Sequence, residues 1–475
     1  NVPGQSPFQP KPNPRLAAMA DGTRSRVRRR RLAAGRNRLG ALPDDVLHHT
    51  LTYLSVTEAA SAAALSSSWR HLWRSYPLVL EDKGIPEPAR DALVPRVLAD
   101  HPGRFRSVIL YDCRLASLNR ELPGWPRLLV DKSTQQLLLA HPDWTVNQPD
   151  SARLLPADIL RCGSLQELSL DFWTFSTDLS RRADISLPQL QILTLTRIVI
   201  GDRELECLID ACPVLESLRL TINSPKHVRL RSKSLSCALV GLSKVEEFTV
   251  VDTPLLQRLY LFQQFHGGAV RIACVPNLRV LGYLDTRTHK LQIGDSVIRP
   301  DTMASARTVV PSVEILALAV NLGISGEVKI LASFLRCFPN VETLHIESAP
   351  HKPPVTSSEP SGEHHARFYQ EVSQVDCLRA HAKKMVIHDF RGDQNEFEFV
   401  KFIAKNAEEL QFFLVVVSDE GILSSADKVK EIKDELQYVQ FRTGISAVFW
   451  ELPKAGIHYR LRRAADLAIN DPFQC

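Results

Sequence analysis

The chain has 475 residues, of which 44% are hydrophobic and 23% are charged, as in ordinary globular proteins. This length is enough to bury a large core, and we expect two or three structural units. No apolar run approaches the roughly 18 residues that a membrane-spanning helix needs, so the composition argues against a membrane partner. The formal net charge of +5 is confined to one segment and does not describe the rest.

The first 38 residues predict a disordered basic tail. They are rich in proline, and residues 24–38 carry eight arginines with no acidic residue among them, which are Arg24, Arg26, Arg28, Arg29, Arg30, Arg31, Arg36 and Arg38. Without these arginines the chain carries a net charge of −3, so no nucleic-acid face is expected on the folded part. The run is either a nuclear-import signal, a nucleic-acid tail or a solvated segment. Because the sequence does not begin with Met, residues 1–18 are interpreted as an over-extended gene model or a processed segment.

Nine scattered cysteines indicate a reduced protein. Their number is odd and no C-x-x-C pair occurs, so neither a disulfide framework nor a zinc site is predicted. The N-terminal region also lacks the apolar stretch of a secretory signal. We therefore expect a protein of the nucleus, the cytoplasm or both, with no metal and no cofactor.

Residues 39–80 predict three short helices that cannot form a stable core alone. Pro43, Asp44 and Asp45 suit a first helical turn, where a fixed φ and negative charge are favourable. One apolar stripe follows at Leu47, Leu51 and Leu54. Ser55 and Glu58 have the spacing of a capping box for a second helix, and Ser66–Ser68 precede a third that carries Trp69 and Trp73. About 40 residues bury too little surface to be stable, so this module must pack against something else.

The run Leu42-Pro43-Asp44-Asp45, the leucines after it and the run from Leu65 to Trp73 resemble the F-box of plant proteins. The resemblance implies that the module docks on a Skp-type adaptor, and through it on a cullin, while the rest of the chain selects a protein target. The positions that match the family's adaptor contacts are Leu42, Pro43, Leu47, Leu51, Leu54, Leu65 and Trp69. The alternative is that these side chains pack against residues 81–130 of the same chain.

Between residues 160 and 350 an L-x-x-L-x-L phrase recurs at intervals of about 20 to 35 residues, the pattern of leucine-rich repeats. Each phrase predicts a short strand that buries alternate residues, and parallel stacking of the units would complete the core with helices on the convex side. The phrases are Leu165/Leu168/Leu170, Leu190/Leu193/Leu195, Leu215/Leu218/Leu220, Leu235/Ala238/Val240, Leu256/Leu259/Leu261, Leu278/Leu281/Tyr283, Val313/Leu316/Leu318 and Val341/Leu344/Ile346. Residues 204–211 predict a return helix, and Val245/Phe248/Val250 an additional convex strand.

Strand alternation also predicts a concave face, formed by the residues on either side of each buried leucine. Aromatic and arginine side chains dominate the energetics of protein interfaces, so the target-binding candidates on this face are Arg219, Arg258, Tyr260, Phe262 and His345. Apolar residues at Ile192, Val280 and Ile315 indicate that part of the face is covered. We expect an open arc, because the repeats are few.

The C-terminal region predicts a mobile loop at 350–366 and then a mixed α/β cap over 367–475. Strands are expected at 384–387, 410–417 and 447–450, with helices around 397–407 and 426–436. The residues Phe390-Arg391-Gly392, Glu398-Phe399-Val400 and Asn406-Ala407 with Leu410 resemble the FBD region of plant F-box/LRR proteins. Residues 81–160 would then hold a linker and the first atypical repeats, before the regular repeats of 161–349.

No catalytic site is predicted, because the chain has no phosphate loop, G-x-G-x-x-G, H-E-x-x-H or G-x-S-x-G motif. The expected function is that of the substrate-recognition subunit of a Skp-cullin-F-box ubiquitin ligase. Two alternatives remain: a repeat scaffold that acts outside any ligase, and a small-molecule co-receptor.

Overall fold

The computed structural model describes part of the chain, and the fold is built from that part. Besides Val46 and Glu58, it covers residues 77–87, 89–111, 115–140, 154–178, 185–222, 224–242, 245–261, 268–300, 302–303, 305–349, 375–417, 426–451 and 464–473. The seven predicted adaptor-binding residues, Phe262, the arginine run and the 350–366 loop lie outside these ranges. The chain divides into a unit of residues 1–47 and one of residues 48–475, and only the second is treated below.

Short strands dominate the described residues. They are Leu78–Glu81 (β1), Phe105–Leu110 (β2), Gln136–Ala140 (β3), Glu167–Asp171 (β4), Ile192–Ile198 (β5), Ser217–Ile222 (β6), His227–Leu230 (β7), Cys237–Leu242 (β8), Glu247–Val250 (β9), Arg258–Leu261 (β10), Gly268–Ile272 (β11), Val280–Asp285 (β12), His289–Ile293 (β13), Ser296–Val297 (β14), Ile315–Val320 (β15), Thr343–Ser348 (β16), Lys384–Phe390 (β17), Phe412–Val417 (β18) and Val448–Glu451 (β19). The α-helices are Ala89–Asp100 (α1), Leu115–Glu121 (α2), Trp125–Asp131 (α3), Asp202–Asp210 (α4), Ser325–Cys337 (α5), Gln394–Asn406 (α6) and Ala426–Gln437 (α7).

Fourteen of these strands form one long parallel sheet in the order β1-β2-β3-β4-β5-β6-β8-β10-β12-β15-β16-β17-β18-β19. Each strand is therefore added beside the previous member of the sheet, as in a solenoid. Within the described part, β1 and β19 each have one neighbour, so the sheet does not close into a barrel. The strands β17, β18 and β19 of the FBD-like region continue the same sheet.

A second sheet lies on the return path of the central repeats and has the order β14-β13-β11-β9-β7. Its strands β7, β9, β11 and β13 alternate along the chain with strands of the long sheet. The predicted convex strand at Val245/Phe248/Val250 is confirmed as β9. The expected convex helices are present as α4 and α5, whereas strands take their place between residues 227 and 297.

In all eight leucine-rich phrases the second and third residues lie on a strand of the long sheet, and the first lies two residues before that strand, which confirms the predicted repeat. Register pairing aligns the middle residue of successive phrases in one column, from Leu168 in β4 through Leu193 in β5 to Leu344 in β16. These side chains are fully buried, because each apolar residue is covered by the equivalent residue of the neighbouring strand.

One position of the predicted pattern is wrong. In β12 the inner position after Leu281 is taken by Leu284, which pairs with Leu318, and Tyr283 faces the other side of the sheet. A bulge between Leu281 and Leu284 changes the register at that point. Gly282 is required there, because a Cβ atom at this position would lie 2.4 Å from the Cβ of Ala317.

Proline-containing turns precede several strands of the long sheet. In the turn before β5 the amide of Leu190 donates to the carbonyl of Leu187, and Pro188 stands at the second turn position, where its fixed φ is favourable. The turns before β6, β10, β12 and β15 close with the same bond across Pro213, Pro254, Pro276 and Pro311. The Asn277 and Asn340 side chains donate to the carbonyls of Pro254 and Pro311, and so connect successive turns.

The strands and helices predicted after residue 380 are confirmed as β17, α6, β18, α7 and β19. Seven cysteines are described and each is a free thiol, in agreement with the predicted reduced state. Burial raises the pKa of Cys212, Cys337 and Cys377 to about 12. In the described residues, no helix has both the length and the apolar character that crossing a membrane requires.

Candidate functional site

The concave face is the side of the long sheet that carries Thr194, Arg219, Tyr260 and His345. Register places Thr194 beside Arg219, Arg219 beside Leu239 and Leu239 beside Tyr260, so these residues form one row across β5, β6, β8 and β10. His345 continues the row in β16 between Ala317 and Val386. The row is polar and partly exposed on β4 and β5, and from β8 onwards it is buried and mostly apolar, with His345 as a polar member.

Residues 464–473, called here the covering segment, lie against the buried part of this face. Ala464 and Phe473 belong to one apolar cluster with Tyr260, Val280 and Ile315, and also with Cys237, Leu239, Tyr283 and Ala317. The Phe473 ring packs edge-on against Tyr260 and Tyr283, with ring centroids 5.1 and 5.5 Å apart. Such contacts add to the free energy gained by burying the ring itself. The apolar pattern at Val280 and Ile315 is therefore explained by this segment.

Asp471 anchors the covering segment through charge. Its Oδ1 lies 3.1 Å from His345 Nε2, and its Oδ2 accepts a bond of 2.6 Å from Lys384 Nζ. Burial alone would raise the pKa of this carboxyl, but the hydrogen bonds and charges of His345 and Lys384 outweigh burial and hold the pKa below its usual range. Asp471 therefore remains ionised at neutral pH, and its contact with His345 is well shielded from solvent.

A second histidine extends this polar chain. His345 Nδ1 lies 2.9 Å from His388 Nε2, and the two rings stack nearly parallel with centroids 5.2 Å apart. Burial and the proximity of His345 lower the pKa of His388 to about 3, although Asp471 acts in the opposite direction. His388 is consequently neutral at physiological pH.

Arg258 contacts the covering segment from the start of β10. Its Nη2 donates to the carbonyl of Ile469 over 2.9 Å, and the residue is 4% exposed. Among the described residues no carboxylate forms an ion pair with this guanidinium, and its Nε has no hydrogen-bond partner. Burying a cation without a counter-charge costs free energy, so the covering segment satisfies the Arg258 guanidinium only in part.

Beside Arg258 is a cavity of about 360 Å³. It lies between Leu467, Ile469 and Asn470 of the covering segment and the first residues of β10, β12, β15 and β16. Its wall also contains Arg279 and Glu314, which pair at 2.6 Å. The cavity is large enough to accept additional side chains next to the buried guanidinium.

The structure corrects the expected exposure of the target-binding candidates. Tyr260 and His345 are 0% exposed and Arg258 nearly so, because the covering segment lies on them. Arg219 is half-buried, and burial lowers the pKa of its guanidinium. The structure thus brings Arg258, Tyr260 and His345 together under one segment, with Arg219 in the same row. Their role in target binding stays a prediction.

Sequence reasoning missed the four residues that complete this site, namely Lys384, His388, Asp471 and Phe473. Lys384 and His388 lie on a strand that was predicted, and strand alternation places His388 on the same face as Val386. The covering segment has no periodic pattern, and its partners lie 126 and 211 residues away in the sequence. The sequence feature that could have indicated the covering segment was the apolar character of Val280 and Ile315.

Comparison with protein families identifies three regions. Residues 39–80 match the F-box domain, residues 122–346 match the model described as "FBD-associated F-box protein At5g56370, LRR repeats", and residues 370–413 match the FBD region. The first and third matches agree with the two resemblances drawn from short motifs. F-box/LRR proteins are generally non-catalytic adaptors and are typical of ubiquitin-ligase substrate receptors.

Relatives in Arabidopsis thaliana are named for an F-box together with LRR repeats, an FBD region or both. The chain is 32% identical over 268 residues to the F-box/FBD/LRR-repeat protein At5g44950, an alignment that covers 54% of this chain and 58% of the relative. It is 26% identical to F-box/LRR-repeat protein At3g03360, covering 41% of this chain and 40% of that protein. It is also 26% identical to FBD-associated F-box protein At5g60610, covering 39% and 47%. The alignments thus span about half the length of these relatives. The chain therefore contains matches to an F-box domain, LRR repeats and an FBD region, the three domains for which the relative At5g44950 is named.

Proposed function

We propose that this protein is the substrate-recognition subunit of a Skp-cullin-F-box ubiquitin ligase. In this proposal the F-box docks on a Skp-type adaptor, and through it on a cullin, while the repeat sheet binds the protein to be modified. The observation that carries the proposal is the F-box match at residues 39–80 in the same chain as a long repeat sheet.

The chain itself would supply proximity and no chemistry. A receptor that holds a target beside the transfer machinery raises the local concentration of the target, which is sufficient to accelerate a reaction performed by other subunits. The described residues contain no group of three or more His, Cys, Asp or Glu side chains arranged around a metal position. We assign the protein to the nucleus, the cytoplasm or both, where its free thiols would stay reduced.

Adaptor recovery tests this function. The change is Leu51→Asp plus Leu54→Asp, which places two charges on the apolar stripe of the F-box, where an interface would have to bury them. We expect recovery of a purified Skp-type adaptor in a pull-down to fall at least about 10-fold, since one tenfold step corresponds to only about 1.4 kcal/mol.

The matched control is Leu154→Asp plus Leu255→Asp, because these two leucines are half exposed and lie outside the F-box match. This variant should recover the adaptor as the unchanged chain does. Equal recovery by all three chains would argue against the ligase function and favour a repeat scaffold that acts outside a ligase.

A further inference from the structure

We propose that the concave face between β10 and β17 is a binding site for a short acidic peptide with an aspartate two residues before a phenylalanine. In this proposal the covering segment occupies the site as an intramolecular competitor, and the target presents a similar sequence. The inference rests on the proposed function, because it names the chemistry of the protein segment that the receptor would select.

The first argument is how the covering segment is held. It adds no strand to either sheet, so its release would leave the ladder hydrogen bonds of the repeats intact. The bonds and ring contacts described above come from the Ile469 carbonyl, the Asp471 carboxylate and the Phe473 ring. Between and before these points the side chains of Asp466, Leu467, Ala468 and Asn470 are exposed. A few anchors in pockets with solvated residues between them are typical of a docked peptide.

The second argument is the spacing of the two anchors. Asp471 Oδ1 also accepts a hydrogen bond of 3.2 Å from the backbone amide of Phe473. A side-chain bond to the amide two residues later is a local turn that aspartate forms readily. This bond sets the direction of the Phe473 side chain relative to the Asp471 carboxylate. The concave face therefore binds the carboxylate and the ring together, as one Asp-x-Phe unit.

The third argument is complementarity of charge and shape. The covering segment contains two aspartates and no basic residue. Opposite it, Arg258, His345 and Lys384 present hydrogen-bond donors, and the rings of Tyr260 and Tyr283 form the pocket for the phenylalanine. Among the described residues, Asp471 is the carboxylate that bonds both His345 and Lys384. A peptide without an acid at this point would leave the buried His345 and the half-buried Lys384 without this acceptor.

The fourth argument is that the covering segment fills the site only in part. The Arg258 guanidinium donates to a neutral carbonyl, whereas a carboxylate would bind it more strongly. The cavity of about 360 Å³ lies directly beside this guanidinium. A target with a second acidic side chain near Arg258 would therefore gain an ion pair that the covering segment lacks. The target needs this additional ion pair to displace the covering segment, because a segment tethered within the same chain competes at an effective concentration on the order of millimolar.

Peptide binding to the full-length chain tests the proposal. The probe is a fluorescent synthetic peptide with the sequence of residues 464–473, and its binding is measured by anisotropy. The release variant carries Asp471→Ala plus Phe473→Ala, which removes both anchors of the covering segment. The control variant carries Asp466→Asn plus Ala468→Ser, two exposed positions of the same segment that do not line the cavity.

We expect the release variant to bind the peptide at least about 10-fold more tightly than the unchanged chain and the control variant, because only there is the site vacant. A peptide that itself carries Asp471→Ala plus Phe473→Ala should not bind. If the release variant gives a cooperative thermal transition yet does not bind the probe, the proposal is overturned and the segment is a permanent part of the core. Should the release variant not fold, the full-length Phe473→Leu variant is tested by the same criterion.

Adaptor pull-down on the same chains separates this inference from the proposed function. Adaptor recovery without peptide binding overturns the inference alone. Peptide binding by a chain that does not recover the adaptor overturns the ligase function and leaves the peptide site standing.

Discussion

His388 lies at the inner end of a polar chain that runs from Lys384 and Asp471 through His345. Its folded pKa of about 3 is below the ordinary value of 6.5. Between these two values the unfolded chain binds a proton that the folded chain does not bind, so stability increases with pH across this window. The contribution of His388 is fully present above pH 6.5 and is lost as the pH falls towards 3.

A His388→Gln variant should show a weaker dependence of stability on pH. Glutamine keeps a hydrogen-bonding group near His345 but does not titrate. Measured by denaturant unfolding between pH 7 and pH 4.5, the free energy of unfolding of the unchanged chain should fall more steeply than that of the variant. Well inside the window the two slopes should differ by about 1.4 kcal/mol per pH unit, the value for one proton.

The control for this experiment is His381→Gln, since His381 is exposed at the end of a short helix before β17. Its pH profile should follow that of the unchanged chain. Identical slopes for His388→Gln and the unchanged chain would contradict the assigned protonation of His388.

At the scale of elements, α6 is joined to the sheet through one buried carboxylate. Glu396 completes a capping box with Asp393 at the start of the helix. Its Oε2 accepts bonds from the amides of Arg391 and Asp393, and its Oε1 accepts a bond of 2.5 Å from the Ser348 hydroxyl at the end of β16. Burial raises the pKa of Glu396, whereas these bonds act to lower it. This carboxylate thus connects β16, the turn after β17 and α6.

Glu396→Ala should lower the free energy of unfolding by about 2 to 4 kcal/mol, because it leaves the buried Ser348 hydroxyl and the partly buried amides of Arg391 and Asp393 without this acceptor. The matched control is Glu398→Ala in the same helix, where the side chain is about half exposed and pairs with Lys401. That change should stay within about 0.5 kcal/mol, as is usual for a surface ion pair. Chemical denaturation of both variants measures the difference, and equal losses would show that Glu396 does not connect these elements.

At the scale of the whole described molecule, the main feature is a long sheet in which each strand pairs only with its neighbours. Repeat proteins of this kind gain stability from interfaces between adjacent units, so the effect of a local change declines along the array. The FBD strands share this property, because β17 pairs with β16 in the register that relates the repeats to one another.

Val415→Ala tests this continuity at β18, where the side chain is fully buried. The loss of two methyl groups should cost roughly 1 to 3 kcal/mol. Hydrogen exchange should accelerate most in β17, β18 and β19, less in β16 and least in β5, because coupling passes from strand to strand. The control is Val448→Ala in β19, where the side chain is half exposed. A uniform acceleration across the sheet would mean that the unit unfolds as one block.

Much of the fold was predictable because the interactions that form each repeat are short-ranged. The alternation in Leu193 and Leu195 and the turn at Pro188 lie within ten residues of each other, and both carry a local signal. The second sheet was mostly missed, because strands of four or five residues such as His227–Leu230 are too short to show a clear period. The change at Tyr283 was missed for a different reason, since the bulge depends on the close approach of Ala317.

The sequence by itself determined which residues line the two sides of the long sheet, because side-chain direction in a strand depends only on position. It also predicted a covered region from the apolar residues Ile192, Val280 and Ile315, of which Val280 and Ile315 belong to the covered cluster and Ile192 does not. Only the tertiary structure decided what covers that region, and therefore that Tyr260 and His345 are buried. The physical reason is distance along the chain: the residues that Asp471 and Phe473 contact on this face lie 87 residues or more away, and no local pattern encodes such a contact.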